Sequence, residues 1–147
     1  MSQNIRIASA AVIGAGTLGR GIAMCLANAG VQVLWLDNNP QMLTQALGAV
    51  ADTYAHNVRQ GRIDEAEAAR RRARISQVAN YAAIREVDLV IEAVYENLEL
   101  KQSIFRELDA ALKPSAILAS NTSYLDVDAI AAVTSRPLWN FTPLRST

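Results

Sequence analysis

The chain has 147 residues, with an apolar fraction of 51%, a charged fraction of 19%, and 14 basic residues against 14 acidic ones. This length fits one domain, and the composition argues against disorder, which needs low hydrophobicity and a high net charge. The zero net charge lacks the basic surplus of a nucleic-acid binder, while one cysteine and one histidine exclude an internal disulfide and leave little for a metal site.

Neither of the long uncharged stretches near the N-terminus predicts a membrane span. Residues 7–19 and 21–36 contain several glycines and are shorter than the roughly 18 apolar residues that a spanning helix needs. Glycines would also interrupt the apolar region of a secretory signal. We therefore expect a soluble, cytoplasmic protein that has neither a membrane nor a nucleic acid as its partner.

Short apolar runs alternate along the chain with apolar residues at helical spacing. The predicted strands are 10–13, 31–36, a candidate at 75–78, 89–91 and 116–119. The predicted helices are 17–29, 40–60, a short one that begins after Asp64, 98–112 and 127–132. Because the strands are apolar on both faces and alternate with helices, we expect an α/β fold. Its sheet would be doubly wound and mainly parallel, with helices on both faces.

The sequence Gly14-Ala15-Gly16-Thr17-Leu18-Gly19 lies between the first predicted strand and the first helix. This G-x-G-x-x-G pattern is weak alone, but the flanking strand, helix and second strand are the context that a dinucleotide-binding turn requires. Gly14 permits the tight turn, Gly16 lets a pyrophosphate approach the backbone, and Gly19 allows close helix packing. Amide groups at the start of the helix, at Thr17 and Leu18, would bind the pyrophosphate. The pattern predicts a Rossmann-type domain.

Asp37 follows the second predicted strand. An acidic residue about 20 residues after the glycine turn accepts hydrogen bonds from the hydroxyl groups of the adenosine ribose. Its negative charge would repel a 2′-phosphate, so we expect NAD to be preferred to NADP.

Two further runs follow in the second half of the chain. Residues 88–101 read Asp-Leu-Val-Ile-Glu-Ala-Val-Tyr-Glu-Asn-Leu-Glu-Leu-Lys, and residues 114–123 read Pro-Ser-Ala-Ile-Leu-Ala-Ser-Asn-Thr-Ser. With the glycine turn at the right distance upstream, they resemble the NAD-binding domain of the L-3-hydroxyacyl-CoA dehydrogenases, over about residues 5–137. The continuation 123–128 is most similar to the forms fused to an enoyl-CoA hydratase in multifunctional fatty-acid oxidation enzymes.

The resemblance implies an enzyme of fatty-acid β-oxidation. Its reaction oxidises the 3-hydroxyl group of an acyl-CoA to a ketone and passes hydride to NAD. Carried over by position, Ala93, Val94, Glu96 and Lys101 would bind the cofactor, with Glu96 and Lys101 close to the ribose of the nicotinamide. The residues themselves also allow an exposed charged pair at the start of a helix.

Two residues after the fifth predicted strand would belong to the catalytic site. The resemblance matches Ser123 to the serine that hydrogen-bonds the hydroxyl oxygen of the substrate, and it gives Asn121 a supporting place in the catalytic site and on the cofactor. A helix-capping loop at 121–123 is the alternative interpretation.

Two reactive side chains are not expected to take part. His56 lies in the long second helix, away from the position of the family's general base, and is expected at the surface. Cys25 lies on the apolar stripe of the first helix, where we expect it to be a small buried hydrophobic residue.

The end of the chain departs from the family pattern. There the family continues into a strand and a Gly-x-His-Phe-Phe-x-Pro segment that carries the catalytic histidine. Aligned without a gap, that histidine falls on Leu144, and aligned with a deletion it falls on Trp139; neither side chain accepts a proton. We therefore expect an NAD-binding domain at 1–137 and an atypical tail at 138–147 that resembles a truncated or frameshifted end. The glutamate that orients the histidine and the C-terminal helical domain are likewise expected to be absent.

Three functions remain open on these residues. The first is the NAD-binding domain of a hydroxyacyl-CoA dehydrogenase, with an acyl-CoA as substrate and no activity alone. The second is a non-catalytic NAD-binding or regulatory module, and the third is a domain of a β-hydroxyacid or nucleotide-sugar dehydrogenase. Because apolar surface near the last helix and the tail would be left bare, we also expect a homo-oligomer.

Overall fold

The computed structural model describes residues 6–95, 97–121 and 124–140. Six strands and five α-helices alternate within these residues. In chain order they are β1 Ser9–Ile13, α1 Thr17–Asn28, β2 Gln32–Leu36, α2 Pro40–Arg59, α3 Glu65–Ala73, β3 Ile75–Gln77, β4 Leu89–Glu92, α4 Leu98–Ala111, β5 Ile117–Ser120, α5 Tyr124–Ala131 and β6 Leu138–Asn140. A short 3₁₀ helix at Tyr81–Ile84 connects β3 to β4.

All six strands pair in parallel in the order β3-β2-β1-β4-β5-β6. The chain builds outward from β1 in one direction and then, from β4, in the other. The carboxyl ends of β1 and β4 therefore meet where the strand order reverses, the place at which open α/β sheets bind ligands. The predicted parallel, doubly wound sheet is confirmed.

The two faces of the sheet carry separate hydrophobic cores. On one face, α1, α2 and α3 bury a cluster that includes Val12, Trp35 and Tyr54. On the other face, α4, α5 and the 3₁₀ helix bury a cluster that includes Ile13, Phe105 and Leu118. The four inner strands β2, β1, β4 and β5 each contribute apolar side chains to both clusters, which is why their sequences are apolar without alternation.

Polar side chains begin several helices, at α2 and α3 as the sequence predicts and at α4 in addition. The side chain of Asn39 accepts hydrogen bonds from the backbone amides at the start of α2, and Pro40 occupies the first turn. Asp64 accepts one from the amide of Glu67 at 2.7 Å, at the start of α3. Asn97 caps α4 in the same way. These acceptors satisfy amide groups that have no partner within the helix.

Three details differ from the sequence-based predictions. The last helix begins at Tyr124 rather than residue 127, and β6 extends the sheet past residue 137. Cys25 is exposed rather than buried. The buried residues of α1 are Gly19, Ile22, Ala23 and Ala27. Cys25 lies two residues from both Ala23 and Ala27, and therefore on the opposite side of the helix from them. None of the helices in the described part of the chain is long and apolar enough to cross a membrane.

Candidate cofactor-binding site

The turn between β1 and α1 needs glycine at its first and last positions. Gly14 has a φ of +117°, and a β-carbon built on it would lie 2.7 Å from the carbonyl oxygen of Ala93. A β-carbon on Gly19 would overlap the carbonyl oxygen of Gly14. The turn is therefore packed against the loop after β4 on one side and against α1 on the other.

The middle glycine faces open space. No atom lies within 4 Å of the place where a β-carbon of Gly16 would be. Gly16 is also the N-cap of α1, and no side chain accepts a hydrogen bond at that helix start. The first bond of the helix runs from the amide of Arg20 to the carbonyl of Gly16 at 3.0 Å. The amides of Thr17, Leu18 and Gly19 precede that bond, so the helix start presents donors to an anion.

The end of β2 holds the glycine turn through three consecutive residues. The amide of Gly14 donates to the carbonyl of Leu36 at 2.9 Å. The indole Nε1–H of Trp35 donates to the carbonyl of Gly14 at 2.7 Å. The amide of Ala15 donates to Oδ2 of Asp37 at 2.8 Å. The sequence predicts Asp37 at this edge but gives Trp35 only a core position; a buried indole N–H in need of an acceptor was the available signal.

A cleft of about 360 Å³ opens beside the turn, between the end of β2, the loop after β4 and α4. We call it the cofactor cleft. Its lining includes Gly14, Gly16, Asp37, Ala93 and Val94, which the sequence predicts as cofactor ligands. Further lining residues that the sequence did not single out are Ile13, Ala15, Leu36, Asn38, Met42, Tyr81, Tyr95, Leu100, Ser103, Ile104 and Glu107. Its mostly apolar wall with a carboxylate at the rim suits a flat aromatic base that carries a ribose.

Tyr81 lines one wall of this cleft, and its phenol stays protonated. Burial and the nearby negative charge of Glu107 together raise the pKa of Tyr81 to about 12. The phenol is therefore neutral at physiological pH and can donate a hydrogen bond. Nothing in the sequence pattern marks Tyr81, because it follows β3 in a short connecting helix.

Lys101 does not form an exposed pair at the start of α4. Its side chain is 1% exposed, and its ammonium lies 3.1 Å from Oε2 of Glu92, whose side chain is fully buried. The ammonium also donates to the carbonyl of Asn121 at 3.1 Å. The predicted contact of Lys101 with a ribose would thus be made by a buried side chain that Glu92 and Asn121 already hold, and Lys101 does not line the cofactor cleft.

Glu92 joins the carboxyl ends of two neighbouring strands. Its Oε1 accepts a hydrogen bond from the hydroxyl of Ser120 at 2.5 Å, and its Oε2 accepts one from the amide of Val94 at 2.7 Å. The amide of Asn121 donates to the backbone carbonyl of Glu92 at 3.0 Å. Sequence reasoning missed this role of Glu92, although a carboxylate at the end of a buried strand calls for partners.

The structure describes only part of the predicted substrate side. Asn121 follows β5 at the same edge as Glu92, as expected for adjacent parallel strands. Glu96 and Ser123 lie outside the described residues. His56 is exposed on α2, as predicted.

The comparisons with known proteins agree with this geometry. Residues 9–141 match the family described as "3-hydroxyacyl-CoA dehydrogenase, NAD binding domain". The chain is 41% identical over 143 residues to a peroxisomal bifunctional enzyme of Danio rerio, and the match covers 92% of this chain and 18% of that protein. It is 40% identical over 126 residues to a probable 3-hydroxybutyryl-CoA dehydrogenase of Bacillus subtilis, covering 86% and 44%.

A solved structure has the same fold. The 3-hydroxybutyryl-CoA dehydrogenase of Escherichia coli K12 superposes with a TM-score of 0.90 at 34% identity, over 94% of this chain and 30% of that one. The chain therefore spans less than half the length of each of these relatives.

Proposed function

The chain belongs to the 3-hydroxyacyl-CoA dehydrogenase family as its NAD-binding domain, and from that premise we propose how it holds NAD. The pyrophosphate lies across Gly16 at the start of α1, and the adenosine occupies the cofactor cleft. The observation that carries this proposal is the open side of Gly16 next to a helix start whose amides have no side-chain cap. Free space beside a glycine at an uncapped helix start is understood best as room for an anionic ligand.

Asp37 holds the adenosine ribose in this proposal. Its two oxygens already accept hydrogen bonds from the amides of Ala15 at 2.8 Å and Asn39 at 2.7 Å. A carboxylate offers about four acceptor positions, so two remain for the ribose hydroxyl groups. A 2′-phosphate at the same place would bring a second negative charge against it.

Calorimetric titration with NAD and NADP tests this assignment. NAD should bind at least about tenfold more tightly than NADP, because the carboxylate of Asp37 repels the 2′-phosphate. The variant Asp37→Asn should lower the ratio of the NAD affinity to the NADP affinity, because NADP binding improves relative to NAD binding. Equal affinities of the wild type for both dinucleotides would contradict the proposed site.

The nicotinamide half belongs to the ends of β4 and β5. We assign Glu96 and Lys101 to the nicotinamide ribose, Ser123 to the hydroxyl oxygen of an acyl-CoA substrate, and Asn121 to the support of both. The buried Glu92 supports this assignment, because it ties Lys101 to the carboxyl end of β4 beside Asn121. Bound NAD would accept the hydride from the substrate carbon, while these side chains orient the hydroxyl group.

We propose that the 147-residue chain does not catalyse this oxidation by itself. Hydride leaves the substrate carbon as the hydroxyl proton departs, and a positioned base contributes typically about 10²–10⁴-fold. His56 is exposed on α2, and the resemblance places Trp139 or Leu144 at the position of the family's histidine. A non-catalytic NAD-binding module is the second candidate function, and this observation favours it.

An NADH formation assay with 3-hydroxybutyryl-CoA and NAD measures this directly. The rate should stay at the background without protein, since the resemblance aligns the family's histidine with Trp139 or Leu144, and neither side chain accepts a proton. A rate within about tenfold of the median enzyme turnover of about 10 s⁻¹ would show that the base has been misplaced.

Self-association and cytoplasmic location are parts of the same proposal. Trp139 is 63% exposed on β6. A groove of about 660 Å³, lined by apolar residues such as Leu18, Ile22 and Leu26, runs beside α1; we call it the α1 groove. A second copy of the chain would cover both surfaces.

Cell fractionation tests the cytoplasmic location.

A further inference from the structure

We propose that Trp35 is a positioning residue for NAD, because it holds, together with Asp37, a single peptide group of the glycine turn from both ends. The inference rests on the proposed function. It assigns a role to a side chain that makes no contact with the cofactor cleft itself.

Both side chains act on the peptide group that joins Gly14 to Ala15. Its carbonyl oxygen accepts the indole Nε1–H of Trp35 at 2.7 Å, and its N–H donates to Oδ2 of Asp37 at 2.8 Å. Trp35 and Asp37 are two positions apart on one extended segment, with Leu36 between them. The backbone carbonyl of Leu36 accepts the amide of Gly14 at 2.9 Å. Three successive residues thus hold three successive polar groups of the turn.

Burial makes this arrangement rigid. Trp35 is fully buried, and its bond to the Gly14 carbonyl is itself buried. A β-carbon on Gly19 would overlap that carbonyl, so α1 passes close to it. Rotation of the peptide group would break both side-chain bonds and leave a carbonyl and an indole N–H buried without these partners, which is costly.

A fixed peptide group at Gly14 and Ala15 fixes the direction of the amides that follow. The N–H of Ala15 points at Asp37 and is withdrawn from the pyrophosphate. The donors left for the pyrophosphate are those at Gly16 and at the start of α1. A turn that already has its binding conformation does not have to be ordered when NAD binds, so the free-energy cost of binding is lower. NAD affinity should therefore depend on Trp35, although Trp35 lies behind the turn.

The first test compares three variants by calorimetric titration with NAD. Trp35→Phe removes the indole N–H but keeps an aromatic ring, and should weaken NAD binding about tenfold. Val33→Ala is the control for lost stability, since Val33 is fully buried on the same strand without touching the turn. Trp139→Phe is the control for losing a tryptophan at an exposed position. Both controls should keep the wild-type affinity. Unchanged NAD affinity in Trp35→Phe, or an equal loss in Val33→Ala, would overturn the inference.

Nuclear magnetic resonance provides a readout that does not depend on the variant's folding. In the wild type, the indole N–H of Trp35 should exchange slowly with deuterated water and its resonance should shift on saturation with NAD. At a protein concentration at which the chain is monomeric, the indole N–H of Trp139 should exchange fast and remain unshifted. A Trp35 indole that exchanges as fast as that of Trp139, or does not respond to saturating NAD, would overturn the inference.

The same spectra separate this inference from the proposed function. If the wild type binds no NAD at all, the proposed function fails, and the positioning role fails with it. If the wild type binds NAD but the Ala15 amide resonance of Trp35→Phe stays where it was, only the inference fails.

Discussion

Two glycines of the same turn are constrained in opposite ways. Gly14 is required by the fold, because its φ is +117° and its missing β-carbon makes room for the carbonyl of Ala93. Gly16 has an extended backbone with a φ of −77°, which any residue adopts, and open space beside it. The fold itself therefore does not need glycine at position 16, whereas a bound pyrophosphate would need the space beside it.

Alanine at each position separates these two constraints. Gly16→Ala should lower the free energy of unfolding by about 1 kcal/mol or less, as expected at an N-cap. Its methyl group would meet the pyrophosphate, so NAD affinity should fall at least about tenfold. Gly14→Ala should instead destabilise the fold by about 1–3 kcal/mol from its backbone conformation alone. Urea unfolding and calorimetry give the two quantities. If Gly16→Ala kept the wild-type affinity for NAD, the pyrophosphate would not lie across Gly16.

The glycines and Asp37 were predictable because backbone geometry and charge leave a local pattern in the sequence. Trp35, Tyr81 and Glu92 were not predicted as site residues, because their partners lie on other elements. Cys25 was predicted on the wrong face, because its apolar neighbours suggest a broader stripe than the buried face formed by Gly19, Ile22, Ala23 and Ala27. Contacts between elements decide these cases.

At the scale of elements, β4, β5 and α4 are joined by a buried ion pair. Glu92 ends β4, Lys101 lies in the first turn of α4, and Ser120 ends β5. Strands and helices of this half were predicted well, because buried parallel strands are apolar throughout and α4 has a regular apolar stripe. β6 was missed, since a strand of three residues with an exposed Trp139 shows no such pattern.

Removing one charge of the pair should cost more than removing both. Glu92→Gln or Lys101→Met alone leaves the partner charge buried, which typically costs about 3–5 kcal/mol of unfolding free energy. The double variant should recover a large part of that loss. Urea unfolding of the four proteins gives the coupling free energy between the two residues. Strictly additive losses would show that the two charges act independently.

At the scale of the whole molecule, one face of the sheet ends in an exposed aromatic residue. Ile91 of β4, Ala119 of β5 and Trp139 of β6 are in register, so their side chains emerge on the same face. Ile91 and Ala119 are buried there, whereas Trp139 is 63% exposed. Ile91 also borders the α1 groove, so the groove and Trp139 lie on the same face of the sheet.

The proposed self-association should use this surface. Light scattering at high protein concentration should give the mass of a dimer for the wild type, and Trp139→Asp should shift the mass toward the 15.9 kDa of the single chain. NAD affinity should not change, because Trp139 does not line the cofactor cleft. A wild type that remains monomeric at high concentration would contradict the dimer.

The central claim is that NAD binds across Gly16, with its pyrophosphate at the start of α1 and its adenosine in the cofactor cleft. Titration of the isotope-labelled protein with NAD, followed through its backbone amide resonances, tests this most directly. The largest shifts should occur at Gly16, Thr17 and Leu18, with further shifts at Asp37 and Val94. Saturating NAD that leaves these amides unshifted, or that shifts only Gly21, Ile22, Cys25 and Leu26 farther along the α1 groove, would contradict the account.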